Sequence, residues 1–220
     1  MIKKIAHLAD IHIKKSIDRH QEYREIFHKL YKDLKEKKPD RIVIVGDIYD
    51  NFIDIEGEAL ILMGEFLNKL SNISKTIITK GNHDIRKKHK TRIDTIETVT
   101  TLINNSGITY YNKSGFYIDD NVVWVVWDHV DGLNPWKDIE HKKIKNKTYI
   151  DLYHDPINGC ALYNGMRIEG KYPKIKDFKG DYSMFGDIHL RQFFDYQYTE
   201  KEINENDLEK YIKNGWKIVN

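Results

Sequence analysis

Cysteine is almost absent from this sequence: Cys160 stands alone among 220 residues. An internal disulfide is therefore excluded, and a reducing compartment is expected. The chain also lacks a surplus of either charge. Lys and Arg number 36 against 34 Asp and Glu, so overall charge says nothing about partners, and attraction to a polyanion must come from local clustering. No apolar stretch reaches membrane-spanning length. The N-terminal apolar run is broken by His7 and Asp10, too early for a signal peptide. A cytoplasmic protein without a membrane partner is the expectation. Repeats, low-complexity tracts and linkers are missing too, so residues 1–220 read as a single domain. What is present suffices for a full core: 40% hydrophobic and 12% aromatic residues, in strongly periodic segments.

Those segments are organised around Arg41-Ile-Val-Ile-Val-Gly46-Asp47-Ile-Tyr-Asp50. Ile42 to Val45 read as a short strand buried on both faces. Gly46 permits a sharp turn, and Asp47 and Asp50 follow where the strand runs out. Carboxylates at the carboxyl end of a buried strand point into the crevice where open α/β sheets bind ligands. Taken alone, Gly-Asp after a strand is also an ordinary turn. Its meaning depends on whether other strands end the same way.

They do. Ile5 to Ala9 form a strand followed by Asp10-Ile11-His12, and residues two apart in an extended chain share a side. A helix follows from Asp18 to Lys37, with Tyr23, Phe27, Leu30, Tyr31 and Leu34 on one face, and Pro39 ends it. Glu56 to Leu70 form a second amphipathic helix whose apolar stripe is core. Strand Thr76 to Thr79 ends at Gly81-Asn82-His83-Asp84, an unusual density of ligand and acid–base groups. The basic residues Arg86, Lys87, Lys88, Lys90 and Arg92 come next; such a run is more often a solvated face than a site.

Thr91 to Ile103 read as helical, after which strand–helix alternation gives way to adjacent strands. Gly107 to Tyr111, Gly115 to Ile118 and Val122 to Trp127 read as strands, the last two a hairpin about Asp119-Asp120-Asn121. A second sheet with antiparallel pairing is therefore expected. Asp128 to Thr148 is a polar excursion with a turn at Asn134-Pro135-Trp136 and a lysine-rich patch from Lys142 to Lys147. Strand Tyr149 to Tyr153 ends at His154, and strand Tyr182 to Phe185 ends at Gly186-Asp187-Ile188-His189.

Five strand ends thus carry Asp10 and His12, Asp47, Asn82 and His83, His154, and Asp187 and His189. Gathered at one edge, the carboxylates repel one another unless cations hold them. Carboxylate, imidazole and amide donors without thiolate suit manganese, iron or zinc, and argue against a structural zinc site. These are too many donors for one ion; two ions about 3.5–4 Å apart, bridged by a carboxylate, use nearly all of them.

Motif by motif, Asp10-x-His12, Gly46-Asp47-x-x-Asp50, Gly81-Asn82-His83-Asp84, His154 and Gly186-Asp187-x-His189, the sequence resembles the calcineurin-like metallophosphoesterases. Within them it looks most like the SbcD-type nuclease subunit of bacterial and phage DNA-repair complexes, and the Asp18 to Arg24 segment is similar to phage members. The resemblance implies an α/β fold, a two-sheet αββα sandwich with mixed sheets. It implies Asp10, His12, Asp47 and His189 on one metal, and Asp47, Asn82, His154 and Asp187 on the other. Manganese is the first choice, with magnesium, iron or zinc as alternatives. His83 is implied to stand outside the metal shell and protonate the leaving oxygen, with Asp50 orienting its imidazole. Asp84 reads as structural. DNA, an SbcC-type coiled-coil ATPase subunit and a second copy of the chain are the implied partners.

Two departures from the family pattern stand out. Asp187 occupies a position where the family usually has His, and the sequence stops soon after His189, where a capping region is expected. Three functions remain open from the residues. The first is a manganese-dependent DNA exonuclease or endonuclease of repair or recombination. The second is a phosphatase or phosphodiesterase acting on small phosphoesters or phosphoproteins. The third is an inactive, metal-binding partner subunit. Because Arg86 to Arg92 directly follow His83, phosphate tracking near the metals favours the first.

Overall fold

Strand β2, Arg41–Val45, is buried on both faces, as its β-branched run requires: Ile42, Val43, Ile44 and Val45 are all 0% exposed. Its two faces meet different partners. Ile42 and Ile44 join Phe27, Leu34, Leu62, Phe66 and Leu67 in one core. Val43 and Val45 join Ile77, Val122, Trp124, Val126, Ile150 and Leu152 in another. The two-residue period of a strand therefore divides the molecule into layers. The computed structural model describes residues 1–51, 54–85, 92–128, 130–162 and 164–189.

Around β2 lie β1 (Ile5–Leu8), β3 (Thr76–Thr79) and β4 (Ile108–Tyr111), in the order β1-β2-β3-β4. Every pairing in this sheet is parallel. Helices α1 (His20–Lys37), α2 (Gly57–Ser71) and α3 (Thr95–Ile103) cover its outer face. Phe27 of α1 stacks on Phe66 of α2 with ring centres 4.2 Å apart. Helix α1 stops where Lys38 turns left-handed and returns its N–H to Leu34, just before Pro39. Helix α3 begins later than its apolar pattern suggests, because Asp94 caps it by accepting from the Glu97 N–H at 2.7 Å.

The second sheet holds β5 (Gly115–Asp119), β6 (Val122–Trp127), β7 (Thr148–His154) and β8 (Tyr182–Gly186), in that order. The β5–β6 hairpin is antiparallel, as expected, and the other pairings are parallel. One sheet is thus all-parallel and the other mixed. Among the described residues, the second sheet's outer face carries a single helical turn, α4 (Pro135–Asp138), together with aromatic rings. Trp127, Tyr153 and Phe178 form one ring cluster. The buried Asp151 carboxylate accepts from the indole N–H groups of both Trp127 and Trp136 at 2.7 Å. The Asn134-Pro135-Trp136 segment is a helix start rather than a plain turn: Asn134 Oδ1 accepts from the Trp136 N–H, and proline stands where no N–H is needed.

The described chain falls into two compact units. The sandwich spans Met1–Pro156 and Phe178–His189. Between β7 and β8, Ile157–Asp177 belongs to the second unit, irregular backbone closed by bridges between Asn158 and Lys174 and between Ala161 and Arg167.

A charged clamp fastens one sheet to the other. Arg41 at the start of β2 donates Nε and one terminal nitrogen to the two oxygens of Asp119 on β5, each at 2.7 Å, and Trp124 donates to the same carboxylate at 3.3 Å. The Arg41 hydrogen bonds hold the Asp119 carboxyl below its ordinary range. Arg41→Ala leaves a carboxylate that is 8% exposed without its bidentate partner, and is expected to cost about 2–4 kcal/mol in urea unfolding at neutral pH. Because the folded-state value is depressed, the clamp contributes above about pH 4 and is lost as pH falls through that value. The difference between wild type and Arg41→Ala should shrink accordingly in acid; a cost independent of pH would contradict this account.

Candidate metal centre

The site is built from loops that leave the carboxyl ends of the strands and remain zipped together beyond them. Past β1 and β2 the ladder continues through backbone bonds from Asp10 to Gly46, His12 to Asp47 and Ile13 to Ile48, at 2.9–3.2 Å. Gly46 N–H donates in turn to Thr79 O of β3 at 3.1 Å. These turns force unusual backbone: Asp10, His12, Asp47 and Asp187 all have positive φ, between 48° and 64°. For residues other than glycine this conformation is costly and is held only where surroundings over-determine it.

Asp84 supplies much of that determination. Fully buried, its carboxylate accepts from the N–H groups of Gly81, Asp47, Ile48 and Tyr49 at 2.8–3.1 Å. Burial and the nearby Asp47 charge push its pKa up to about 7, whereas the four donors favour the ionised form. The structural reading of Asp84 is matched by these bonds. Sequence could not supply the partners, since three of the four donors follow Gly46, some 35 to 37 positions away.

Asp47 lies at the middle of the functional groups and is itself 0% exposed. Its Oδ2 is 3.1 Å from His154 Nε2, 3.6 Å from His12 Nε2 and 4.0 Å from His83 Nε2. Its Oδ1 accepts the His83 N–H at 2.9 Å. Asp10 Oδ1 is 3.8–3.9 Å from His12, His154 and His189. Three overlapping groups result, each with donor atoms within 4.8 Å of one another: Asp10, His12 and His189; His12, Asp47 and His83; Asp10, Asp47 and His154. Such spacings suit donors that share an ion, each about 2.1 Å from it.

Two observations test the fit of cations to this set. Among the described residues, neither ring nitrogen of His12 has a hydrogen-bond partner, although both are shielded from solvent. The Asn82 amide faces both Asp47 oxygens at 3.1 and 3.3 Å. With nitrogen towards Asp47 it donates; with oxygen towards Asp47 two acceptors meet, an arrangement that a shared cation reconciles. The donor set fits divalent metal. His154 is prepared for the same role, because its Nδ1 pairs with Val45 O at 2.6 Å and leaves Nε2 aimed at the carboxylates. Burial alone would lower the pKa of His154, but the bond to Asp47, its charge and the Val45 carbonyl outweigh burial and raise it to about 9.

Asp187 stands apart from the donors it was expected to join, and Asp50 meets His83 by another atom than expected. The Asp187 backbone N–H donates to both oxygens of Asp10, at 3.0 and 3.2 Å, and its carboxyl belongs to none of the three groups. Burial raises its pKa, with Asp47 and Asp10 adding to the rise. For Asp50 the expected contact is corrected. His83 Nδ1 is held by the Asp50 backbone carbonyl at 2.5 Å, while the carboxylate turns to His12 Nδ1 at 3.6 Å and Lys14 Nζ at 3.7 Å. Lys14 had no motif to mark it. Of the basic run, Arg92 is exposed, and Arg86, Lys87, Lys88 and Lys90 lie outside the described residues.

A calcineurin-like phosphoesterase model matches residues 3–191 of the chain. The chain belongs to this family. Among curated proteins, the chain is 36% identical over 206 residues to uncharacterized protein R555 of Acanthamoeba polyphaga mimivirus, covering 87% of this chain and 15% of that protein. It is 24% identical over 221 residues to the DNA double-strand break repair protein Mre11 of Nanoarchaeum equitans, covering 87% of this chain and 58% of that one. With the Mre11 of Methanopyrus kandleri it shares 32% identity over 90 residues, 39% of this chain and 20% of that one. The chain thus spans less than two thirds of each of these relatives. Among solved structures, Pseudomonas putida nuclease MPE is similar with a TM-score of 0.38 and 13% identity, covering 75% of this chain and 67% of that one. No helix of the chain, among the described residues, is long and apolar enough to cross a membrane.

The motif glycines are as constrained as the candidate donors. A Cβ on Gly186 would strike His154 Nδ1 and Val45 O, and one on Gly81 would strike Asp47. Gly186→Ala must therefore displace the imidazole or break its bond to Val45. Folded protein by circular dichroism, with about 10–100-fold weaker manganese binding by calorimetry, is expected. Wild-type affinity in Gly186→Ala would show that His154 does not face the ions.

Proposed function

We propose that this phosphoesterase hydrolyses phosphodiester bonds in DNA with two divalent ions, manganese in the first place. The observation that carries the reading is the convergence of Asp10, His12, His154 and His83 on a fully buried Asp47, with His189 joining through Asp10. Support for DNA comes from the relatives named as Mre11 and from the basic residues that follow His83 in sequence. Asp10, His12, Asp47 and His189 hold one ion; Asp47, Asn82 and His154 hold the other, and Asp187, which lies outside the three groups, joins them on the resemblance alone. A coiled-coil ATPase and a second copy of the chain belong to the same proposal as partners, on the SbcD-type resemblance.

When bound, the ions supply a hydroxide at neutral pH and offset charge on the phosphoryl oxygens. The protein's own groups do the rest. Asp47, shielded from water, fixes the spacing of the donors on either side. His83 is half-exposed, so it can meet a substrate that the buried His154 cannot. With Nδ1–H held by Asp50 O, a protonated His83 presents its Nε2 proton to the leaving oxygen. The Asp50 carboxylate and Lys14 flank the same entrance.

The test is degradation of end-labelled single- and double-stranded DNA by chelator-treated protein, with and without manganese. Cleavage only with metal is expected. His83→Ala should keep two bound ions yet lose about 10²–10⁴ in rate, and Asp187→Ala should lose one ion. Cleavage undiminished in chelator would remove the two-metal reading. Turnover of p-nitrophenyl phosphate with no action on DNA would make the chain a small-phosphoester enzyme. Loss of an ion in His83→Ala would make His83 a ligand.

A further inference from the structure

The outer face of the second sheet carries a feature that the metal centre does not use. From Lys137 to Lys147, between β6 and β7, five lysines stand against two acids, in a chain whose charges otherwise nearly cancel. Lys142, Lys143 and Lys145 are exposed, and the run that bears them is seated on rings. Phe116 of β5 stacks on His141 at 3.9 Å with 8° between planes, and Trp136 meets Phe116 edge-on at 5.1 Å. Lys143 Nζ lies 5.0 Å from the Trp136 ring and 5.2 Å from that of Tyr149, and donates to Lys179 O at 3.1 Å. Tyr149 Oη accepts from the Ile144 N–H at 2.7 Å and pairs with His141 Nε2 at 2.8 Å. The segment is therefore a fixed shelf rather than a loose basic loop.

We propose that this shelf binds single-stranded nucleic acid, with His141 offering a stacking surface to a base and Lys142, Lys143 and Lys145 following the phosphates. Lysines alone would suit any polyanion. An acidic side chain or an anionic headgroup has no flat face to lay on the half-buried rings among them, whereas a base has a π-face. Duplex DNA hides those faces in its own stack. Holding Lys143 in place beforehand also lowers the ordering cost of binding. The shelf lies apart from the metal centre: the run enters β7 at Thr148, while His154 ends that strand, about 20 Å away at about 3.3 Å per residue. The inference stands whether or not the metal centre cuts DNA.

The experiment is fluorescence anisotropy of labelled oligothymidylate with the full chain in chelator, across a salt series. The Lys142→Ala/Lys145→Ala double variant should bind at least about fivefold more weakly at low salt, with a salt slope flatter by about 1.4, or about 0.7 per lost contact. His141→Ala should weaken binding by about 5–100-fold at unchanged slope, and His141→Phe, which keeps a flat ring, should retain it. Manganese-supported hydrolysis of bis(p-nitrophenyl) phosphate should match wild type in every variant; its absence in wild type as well would count against the metal-centre reading alone. An unchanged slope in the lysine variant would overturn the shelf. So would His141→Phe as damaging as His141→Ala, or polyglutamate displacing the probe as well as unlabelled oligonucleotide does.

Discussion

The buried carboxylate of Asp84 is the constraint on which the site depends. It gathers four backbone N–H groups from two loops, and hydrogen bonds to a charged group are worth about 1.5–3 kcal/mol each. Three of those donors belong to the turn that carries Asp47, so Asp84 fixes the backbone that would otherwise resist a positive φ of 52° there. From Asp47 the geometry passes outward. Its Oδ1 holds the His83 N–H, its Oδ2 meets His154, and His154 is tied back to Val45 of β2. A Cβ at position 46, 81 or 186 would force atoms into this same knot.

That rigidity answers an electrostatic problem. Asp10 and Asp47 are brought beside common imidazoles with little water to screen them, an arrangement that favours cations over empty space. A protonated His154 supplies part of the compensation without metal, which is why the hydrogen bond and charge of Asp47 raise its pKa against the effect of burial. On the proposed assignment of His154 to an ion, binding displaces that proton, so the buried imidazole would couple metal loading to proton release. The parallel sheet makes the arrangement possible: strands β1, β2 and β3 run the same way, and their loops therefore emerge at one edge.

Much of this was legible in the sequence because strand ends carry their chemistry in contiguous words. Gly46-Asp47, Asn82-His83 and the Asp10/His12 spacing mark groups that the structure brings together, and Ile42 to Val45 read as a strand buried on both sides, as β2 is. The illegible part depended on direction rather than identity. Asp50 was expected to use its carboxylate on His83, yet its carbonyl does so, because the side chain leaves the turn on the side of His12 and Lys14. Local spacing does not tell which of a residue's two acceptors faces a group 33 positions away. At Asn134-Pro135-Trp136 the turn chemistry was recognised, but capping residues and turn residues are the same residues, and only the backbone path of the next few positions decides between them. The aromatic layer behind the second sheet was hidden for another reason. Phe116, Trp136, His141 and Tyr149 come from separate segments and meet only when β5 and β7 flank β6.

The central claim is that Asp47 sits between two ions held by the groups around it. Manganese titration of chelator-treated protein, followed by electron paramagnetic resonance, tests this most directly. The account predicts two equivalents bound and a spin-coupled pair, as two ions about 3.5–4 Å apart require. A single equivalent, or two ions with the spectra of isolated manganese, would contradict it.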